Sequence, residues 1–521
     1  MSLSLREKIL KTFMVTIREV NTHGGIEEFF KNYPVGGIYY GEGAVYTDES
    51  GKEVGTAMSY ETLQRCRKAA KNGLIVCADG ASVVGQKIKF RPQRSLGASR
   101  NLEDAYNLGK CIGMQCNAKG VDWVFAPCID MYRNPLMYLM ATSDDPETTS
   151  KIYRQVIRGI QDQGVCATAK HFPGLGTHFV NMHMAPGANT LPFDEWMETY
   201  GHNFKEMIDE GVATIMTSHA TLKSYANEKE NGFNPIATYS YKLTTELLKQ
   251  QLGFKGAVLT DALIMGGMAT GDIVAETVQA FKAGADLLIW PPIEAAEEIE
   301  KQIQNGEIPM SRLDDALARI EGMKKVREKA VQNGTIETPN AEFVDSKFLK
   351  IAENGICLLR NCINLLPINK QKSKKILIVD GSENGNSNGC VLLKEELENN
   401  GVTAEIRRDI YDVPSRVCWQ SDIDNLQNQY DLVIFNMNCS FVAEWSVAHM
   451  LIWASHLFDK KKKIIINYGS PYFASNYFPE DPTYIEMNCP PSQETIKALV
   501  NRLIGKDEFT GKSVFVNEKN F

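Results

Sequence analysis

Short apolar runs alternate with longer amphipathic stretches over the first 300 or so residues of the chain. Apolar runs of about four to eight residues are typical of buried strands, and apolar positions three or four apart are typical of helices. The pattern predicts a helix over 5–31 and strands over 35–40, 74–79, 123–130, 166–170, 213–219, 257–261 and 286–290. Predicted helices between the strands cover 101–120, 145–162, 193–210, 241–252, 272–282 and 294–304. Such strand-helix repeats predict parallel strands in a (β/α)8 barrel.

A second alternating pattern follows a charged helix predicted over 311–329 and a polar connector over 330–345. Apolar runs at 355–361, 375–380, 431–436 and 463–468 are separated by helical stretches such as 492–503. This predicts a smaller α/β layered domain with a parallel sheet. The predicted domains are therefore a barrel domain over 1–329, a linker over 330–345 and an α/β domain over 346–521. Residues 381–385 read GSENG, which is not a GxGxxG fingerprint, so we expect no dinucleotide site.

Polar residues stand at the carboxyl ends of the predicted barrel strands. They are Asp79, Asp130, Lys170, His171, His219 and Asp261. Barrel enzymes place their chemistry at this face. Buried structural groups would explain one or two of these positions, but six of them predict a converging polar pocket.

The segment 167–186 is the richest in candidate chemistry. It holds three of the eight histidines, His171, His178 and His183, and its Pro and Gly residues exclude a helix. Imidazole is the side chain best suited to proton transfer near neutral pH. A strand ending in a functional loop is therefore predicted, with scattered solvated histidines as the alternative.

Composition narrows the functional classes. A length of 521 residues exceeds what one hydrophobic core usually fills, so at least two domains are expected. A net charge of -8 argues against general affinity for nucleic acid or anionic membranes, and there is no run of 18 apolar residues. The N-terminal residues lack a secretory pattern, which favours a cytoplasmic protein. Twelve scattered cysteines without CxxC spacing predict reduced, mostly buried thiols, and neither a metal nor another cofactor is expected.

Two segments resemble glycoside hydrolase family 3, and in particular its β-N-acetylglucosaminidase branch. Residues 170–176 read KHFPGLG and are followed by His183 and Pro186, similar to the branch signature KHFPGHGxxxxDSHxxxP. Residues 251–265 read QLGFKGAVLTDALIM and resemble the segment ELGFxGVVxSDxLxM that carries the family's nucleophile. The resemblance implies a two-domain retaining glycosidase in which Asp261 forms a covalent glycosyl intermediate.

The resemblance also implies that His183 is the general acid and base. The branch has an Asp two residues before this His, whereas this chain has Asn181. An amide can orient the imidazole but adds no charge that would stabilise the imidazolium. We therefore expect a slower enzyme with its pH optimum shifted to lower pH.

For sugar binding, the resemblance places Asp79, Lys170 and His171 around the hydroxyl groups, with Lys87 where the branch has an Arg. We add Asp130 and His219 to the predicted substrate-binding set from their strand-end positions. Two departures predict a reshaped pocket. Residues 80–85 read GASVVG in place of a QEGGRV run, and Met140 stands where an Arg is expected.

The leading hypothesis is a glycosidase that releases terminal β-linked N-acetylhexosamine from small glycosides or oligosaccharides, such as peptidoglycan or chitin fragments. One alternative is a β-glucosidase or xylosidase-like member whose acid is a second-domain carboxylate, for example Glu444 or Glu486. The other is a catalytically impaired sugar-binding homologue. The sequence leaves open whether water or phosphate is the acceptor, and it leaves the oligomeric state open.

Overall fold

The computed structural model describes residues 3–41, 58–80, 92–133, 140–382, 388–407, 420–438 and 447–516. The chain forms two compact units. The first comprises residues 1–84, 105–137 and 149–341, and the second comprises 85–104, 138–148 and 342–521. The second unit thus includes two short segments from the N-terminal half of the chain. The domains predicted from the sequence, with boundaries at 329 and 346, place both segments in the barrel domain. Those boundaries stay a prediction.

The first unit contains ten strands within the described residues. They are β1 Phe13–Val15, β2 Gly37–Tyr39, β3 Ile75–Asp79, β4 Trp123–Phe125, β5 Thr168–Phe172, β6 Gly187–Asn189, β7 Thr214–Thr217, β8 Ala220–Leu222, β9 Ala257–Thr260 and β10 Leu288–Ile289. Eight of them form two curved parallel sheets, in the orders β10-β1-β2-β3-β4 and β5-β7-β9. β6 and β8 pair separately with each other.

Single parallel pairings join the two curved sheets at both edges. Trp123 pairs with Cys166 and Cys128 with Lys170 between β4 and β5, and Leu259 pairs with Leu287 between β9 and β10. The eight strands therefore close into a parallel barrel, which confirms the predicted fold class. β4 ends at Phe125, earlier than the predicted 123–130 strand, because Pro127 has no N–H with which to continue the ladder.

Helices separate most of the barrel strands. They cover Leu5–Leu10, Ile17–Thr22, Gly25–Asn32, Tyr60–Ala69, Leu102–Lys119, Pro146–Asp162, Phe193–Trp196, His202–Asp209, Ile273–Ala283, Ala295–Gln304, Met310–Gly322 and Lys324–Asn333. Wider, π-type turns form Met197–Gly201 and Lys242–Gln251.

The prediction of one helix over 5–31 was wrong. The segment contains the strand β1 between two helices that begin after the N-caps Ser4 and Thr16. Phe13, Met14 and Val15 are fully buried, and β1 pairs with β10 on one side and β2 on the other. Apolar periodicity cannot separate three buried strand residues from a buried helical turn, so only the barrel contacts distinguish them.

The barrel interior is packed with apolar side chains and a few paired polar groups. Trp123 is fully buried, and its indole N–H donates to the hydroxyl oxygens of Thr168 and Thr214, each at 2.9 Å. These bonds satisfy the polar atom of the largest interior side chain. The packed interior keeps the strands in register and so sets the positions of the residues that follow each strand.

The second unit is a six-stranded sheet flanked by helices. Its strands are β11 Cys357–Asn361, β12 Lys375–Ser382, β13 Thr403–Arg407, β14 Leu432–Asn438, β15 Lys463–Asn467 and β16 Thr483–Glu486, in the order β11-β16-β15-β14-β12-β13. Only β11 runs antiparallel within it. Its helices cover Gln93–Ser99, Ala341–Asn354, Asn388–Asn399, Gln420–Gln427, Val447–His456, Phe473–Asn476 and Gln493–Leu503. The predicted parallel α/β sheet is confirmed.

Two strands of this sheet were not predicted from the sequence. β13 lies at the edge of the sheet and reads TAEIR, which is too polar to register as an apolar run. β16 is fully buried but only four residues long. Among the described helices, none combines the length and the apolar composition that crossing a membrane requires. Nine of the ten described cysteines are buried, as predicted, and Cys362 is exposed.

Candidate active site

A buried carboxylate and imidazole form the centre of the polar strand ends. Asp130 Oδ2 accepts a hydrogen bond from His171 Nδ1 at 2.7 Å, and Asp130 Oδ1 accepts one from the Leu175 N–H at 2.6 Å. Asp130 is 1 % exposed. Because both of its oxygens are held, the carboxylate fixes the tautomer and the plane of the imidazole. His171 Nε2 then faces Asp261 Oδ2 at 4.0 Å.

The expected contact between Asp130 and the substrate stays a prediction. In the structure Asp130 is buried, and both of its oxygens accept hydrogen bonds from protein donors. It is placed to orient His171.

Lys170 and Asp79 form a charged pair at neighbouring strand ends. Lys170 Nζ lies 3.3 Å from Asp79 Oδ2, and the Lys170 side chain is mostly buried whereas that of Asp79 is partly exposed. Burial lowers the pKa of Lys170, but the carboxylates of Asp79 and Asp261 outweigh it, so the pKa is raised overall. The ammonium therefore stays charged between two carboxylates, an arrangement that favours charge-assisted bonds to hydroxyl groups.

Asp261 follows β9 directly and is held by backbone groups. Its N–H donates to Thr217 O at 3.0 Å, and its Oδ1 accepts from the Ala262 N–H at 2.8 Å. The side chain is 16 % exposed. One carboxylate oxygen is thus fixed, and the other faces His171.

His219 is fully buried, and both of its ring nitrogens bind protein atoms. Nδ1 lies 2.8 Å from the Thr238 hydroxyl, and Nε2 lies 3.1 Å from Ala262 O. A carbonyl oxygen only accepts, so Nε2 carries the proton. Burial lowers the pKa of His219 although Asp261 opposes the shift. His219 therefore supports the peptide after Asp261 as a neutral ring, and its contact with the sugar stays a prediction.

His183 and Asn181 lie on an exposed loop. Asn181 Oδ1 accepts from the His183 backbone N–H at 3.0 Å and from His183 Nδ1 at 2.8 Å. Asn181 thus holds the orientation of the His183 ring without adding a charge beside it. With Nδ1 engaged, Nε2 is the ring nitrogen left to exchange a proton with a bound molecule.

Two backbone bonds tie this loop to the turn after Asp261. The Gly266 N–H donates to His183 O and the Gly267 N–H donates to Met182 O, both at 3.0 Å. A Cβ at Gly267 would lie 2.2 Å from Met182 O, so only glycine allows this approach. These two hydrogen bonds were not predicted, although the Gly-Gly pair five residues after Asp261 was a usable signal.

Some predicted site residues are not among the described residues of the first unit. Lys87, the altered run 81–85 and Glu444 fall outside the described residues. Met140 belongs to the second unit, as does Glu486, which is buried at the end of β16.

One group of potential metal ligands occurs in the described ranges, formed by Cys128, Asp130 and His171. Asp130 Oδ2 is already bonded to both the Cys128 thiol at 3.1 Å and His171 Nδ1. Burial raises the pKa of the Cys128 thiol well above its usual range, and Asp130 adds to the shift. A protonated thiol and a carboxylate with occupied oxygens do not fit a metal ion.

Comparison with known proteins agrees with this geometry. The family described as "Glycosyl hydrolase family 3 N terminal domain" matches residues 4–323. A "Beta-N-acetylglucosaminidase/beta-glucosidase" of Cellulomonas fimi is 24% identical over 484 residues, covering 87% of this chain and 85% of the relative. A "Beta-hexosaminidase A" of Pseudoalteromonas piscicida is 26% identical over 325 residues, covering 55% of this chain and 54% of the relative.

Solved structures share the fold over nearly the whole chain. "Beta-glucoside phosphorylase BglX" superposes with a TM-score of 0.80 at 23% identity, covering 99% of this chain and 94% of that one. A glycoside hydrolase family 3 beta-N-acetylglucosaminidase from Paenibacillus sp. str. FPU-7 superposes with a TM-score of 0.77 at 22% identity, covering 99% of each chain. With the family match over more than half of its residues, the chain belongs to glycosyl hydrolase family 3 and is a glycosidase acting on O-glycosyl compounds.

Proposed function

We propose that this chain is a retaining β-glycosidase of the N-acetylhexosaminidase type, with Asp261 as nucleophile and His183 as general acid and base. One observation carries the proposal. The turn that follows Asp261 is hydrogen-bonded through Gly266 and Gly267 to the loop that holds His183. A nucleophile and a proton donor must act on the same glycosidic bond, and this tie supports a fixed relation between their segments.

In the first step, Asp261 Oδ2 attacks the anomeric carbon while the bond to the leaving oxygen breaks. That oxygen takes the proton from His183 Nε2, and the sugar is left bound to Asp261 as an ester. In the second step, His183 Nε2 accepts a proton from water, whose oxygen attacks the same carbon and releases Asp261. Two displacements return the original anomeric configuration. Throughout, Nδ1–H stays bonded to Asn181 Oδ1.

The terminal sugar would be held by Asp79, Lys170 and His171. The Lys170–Asp79 pair offers both a donor and an acceptor for adjacent hydroxyl groups. Asp130 and His219 would act without touching the sugar. Asp130 orients His171, and His219 supports the peptide of Ala262. The choice of N-acetylhexosamine is supported by the printed names of the relatives, one of which also includes β-glucosidase.

Phosphorolysis is a second candidate, in which phosphate instead of water accepts the sugar. Asn181 is neutral, so an anionic acceptor approaching His183 meets no like charge at that position. A solved structure with the same fold is named a beta-glucoside phosphorylase.

A panel of 4-nitrophenyl β-glycosides tests the proposal, with N-acetylglucosaminide, glucoside and xyloside assayed with and without inorganic phosphate. We expect turnover of the N-acetylglucosaminide with retained configuration, and a loss of at least about 1,000-fold in Asp261→Asn. A sugar 1-phosphate product would favour phosphorolysis. Turnover of glucoside or xyloside alone contradicts the choice of sugar, and binding without turnover shows an impaired homologue.

We also propose that the protein works in the cytoplasm, where buried thiols such as those of Cys77 and Cys116 stay reduced. Cell fractionation with an antibody to the chain checks this location.

A further inference from the structure

The position of the general acid defines where the leaving group lies. His183 gives its proton to the glycosidic oxygen, so the group attached to that oxygen must sit beside His183 Nε2 within hydrogen-bond reach. This inference rests on the proposed function. The residues next to His183, and those of the turn tied to its loop, therefore line the space that receives the leaving group.

The two segments share an anchor in the barrel interior. Met182 and Met265 are both buried in the same apolar cluster, one on each segment. Gly266 and Gly267 bond to the backbone oxygens of His183 and Met182 between them. The exposed residues next to these anchors are thus held at adjoining positions of the rim.

Three large apolar side chains on these segments remain in solvent. Met184 is 79 % exposed and Phe179 is 70 % exposed on the His183 loop, and Ile264 is 64 % exposed on the segment after Asp261. A single exposed apolar side chain is ordinary. Here three of them lie on two segments that are bonded to each other, and one of these segments carries the proton donor.

Histidine is the only residue type on the same segments whose side chain can carry a charge. Residues 172–193 and 262–271 contain no Asp, Glu, Lys or Arg, in a chain where 23% of residues are charged. A leaving group with free carboxylates would find no Lys or Arg on either segment, and the Nε2 proton of the His183 imidazolium is needed at the glycosidic oxygen. An apolar leaving group would instead cover the exposed side chains and remove their surface from water.

We propose that Phe179, Met184 and Ile264 form an apolar rim that binds uncharged apolar leaving groups, such as alkyl or aryl alcohols attached to the sugar. This differs from the peptidoglycan fragments expected from the family resemblance, because the rim selects for apolar area and against charge.

The test compares kcat/KM for the methyl and octyl β-glycosides of the same sugar. The two alcohols leave with similar intrinsic ease, so their ratio reports apolar contact alone. We expect the octyl glycoside to be preferred by about tenfold or more. Met184→Ser and Ile264→Ser should each reduce the octyl-to-methyl ratio about threefold or more.

Val331→Ser is the matched control. Val331 is 62 % exposed on the helix Lys324–Asn333, away from both segments in sequence, so its replacement should leave the octyl-to-methyl ratio unchanged. A wild-type ratio near one, a preference for a leaving group bearing a carboxylate, or equal effects of all three variants would overturn the apolar rim.

The β-glycosyl fluoride of the same sugar separates this inference from the proposed function. Fluoride leaves without a bulky group and without needing an acid, so its hydrolysis reports on Asp261 and the sugar site. Turnover of the fluoride with equal methyl and octyl rates overturns the apolar rim alone. Turnover of neither the fluoride nor any glycoside overturns the proposed function, and the apolar rim with it.

Discussion

Polar residues stand at the carboxyl ends of parallel strands in both units of this molecule, but their partners differ. At the barrel strand ends, Asp130 is bonded to His171, and His219 is bonded to Thr238. In the second unit, several buried side-chain atoms on or next to β14, β15 and β16 lack a hydrogen-bond partner within the part of the chain that the structure describes. Among them are Glu486 Oε1, Asn436 Oδ1, Asn488 Oδ1 and the Tyr468 hydroxyl.

Pairing and burial have different consequences for a polar side chain. A paired buried group has one preferred orientation, which is what a reaction centre needs. A buried atom without a partner keeps its cost of leaving water, and the protonation of its side chain responds to that cost. Burial raises the pKa of Glu486 to about 7, although Arg94 and a hydrogen bond from Asn467 oppose the shift. We therefore expect the barrel set to control activity and the second set to control how stability depends on pH.

Asp130→Asn should have the largest effect. The amide cannot accept the His171 Nδ1–H and the Leu175 N–H as two carboxylate oxygens do, so the imidazole loses its orientation. We expect kcat to fall about 100-fold or more, and the free energy of unfolding to fall by about 3 kcal/mol. Steady-state kinetics and denaturant unfolding measure the two effects.

Asp209→Asn is the control for this change. Asp209 pairs with Lys205 one helical turn away, and both side chains are about half exposed. Its replacement should cost well under about 1 kcal/mol and leave kcat unchanged. If Asp130→Asn behaved like this surface variant, the positioning role of the barrel set would be wrong.

Glu486→Gln should have the next largest effect, and on stability alone. The folded pKa of about 7 exceeds the ordinary value of 4.5, so the folded state holds the extra proton between these values. The contribution to unfolding free energy is complete below about pH 4.5 and is lost as the pH rises through about 7. The wild type should therefore lose about 3 kcal/mol across this window, and Glu486→Gln should lose less.

Unfolding at pH 5 and at pH 8 measures this difference. Glu398→Gln changes an exposed carboxylate paired with Lys394 and should leave the wild-type pH dependence in place. Equal changes in unfolding free energy between pH 5 and pH 8 for the wild type and Glu486→Gln would show that Glu486 does not govern the pH dependence of stability.

Asn181→Asp should have the smallest effect and sharpens the comparison within the active site. A carboxylate beside His183 would stabilise the imidazolium, so the alkaline limb of the kcat profile should move to higher pH. We expect kcat at neutral pH to rise by about threefold or more. Asn181→Ala, which removes both bonds to His183, should lower kcat instead. An unchanged rate and profile in Asn181→Asp would contradict the expected effect of a charge beside His183, and an unchanged rate in Asn181→Ala would contradict the orienting role of Asn181.

Much of the barrel and its candidate site could be predicted from local pattern. Asp79, Lys170, His171 and Asp261 each follow or end an apolar run, which is a signal within a few residues of sequence. The strand Phe13–Val15 was missed because its three residues continue the apolar spacing of the flanking helices. The burial of Asp130 and His219 against protein partners could not be predicted, because burial behind another side chain is not visible from strand position.

The sequence by itself determined the alternation of strands and helices, the polar residues at the strand ends, and the neutral Asn181 beside His183. These features depend on the spacing of residue types along one short stretch. Only the tertiary structure decided that Asp130 supports His171, that His219 supports the peptide after Asp261, and that Gly266 and Gly267 hold the His183 loop. Each of those contacts joins residues about 40 to 85 positions apart, which closure of the barrel brings together.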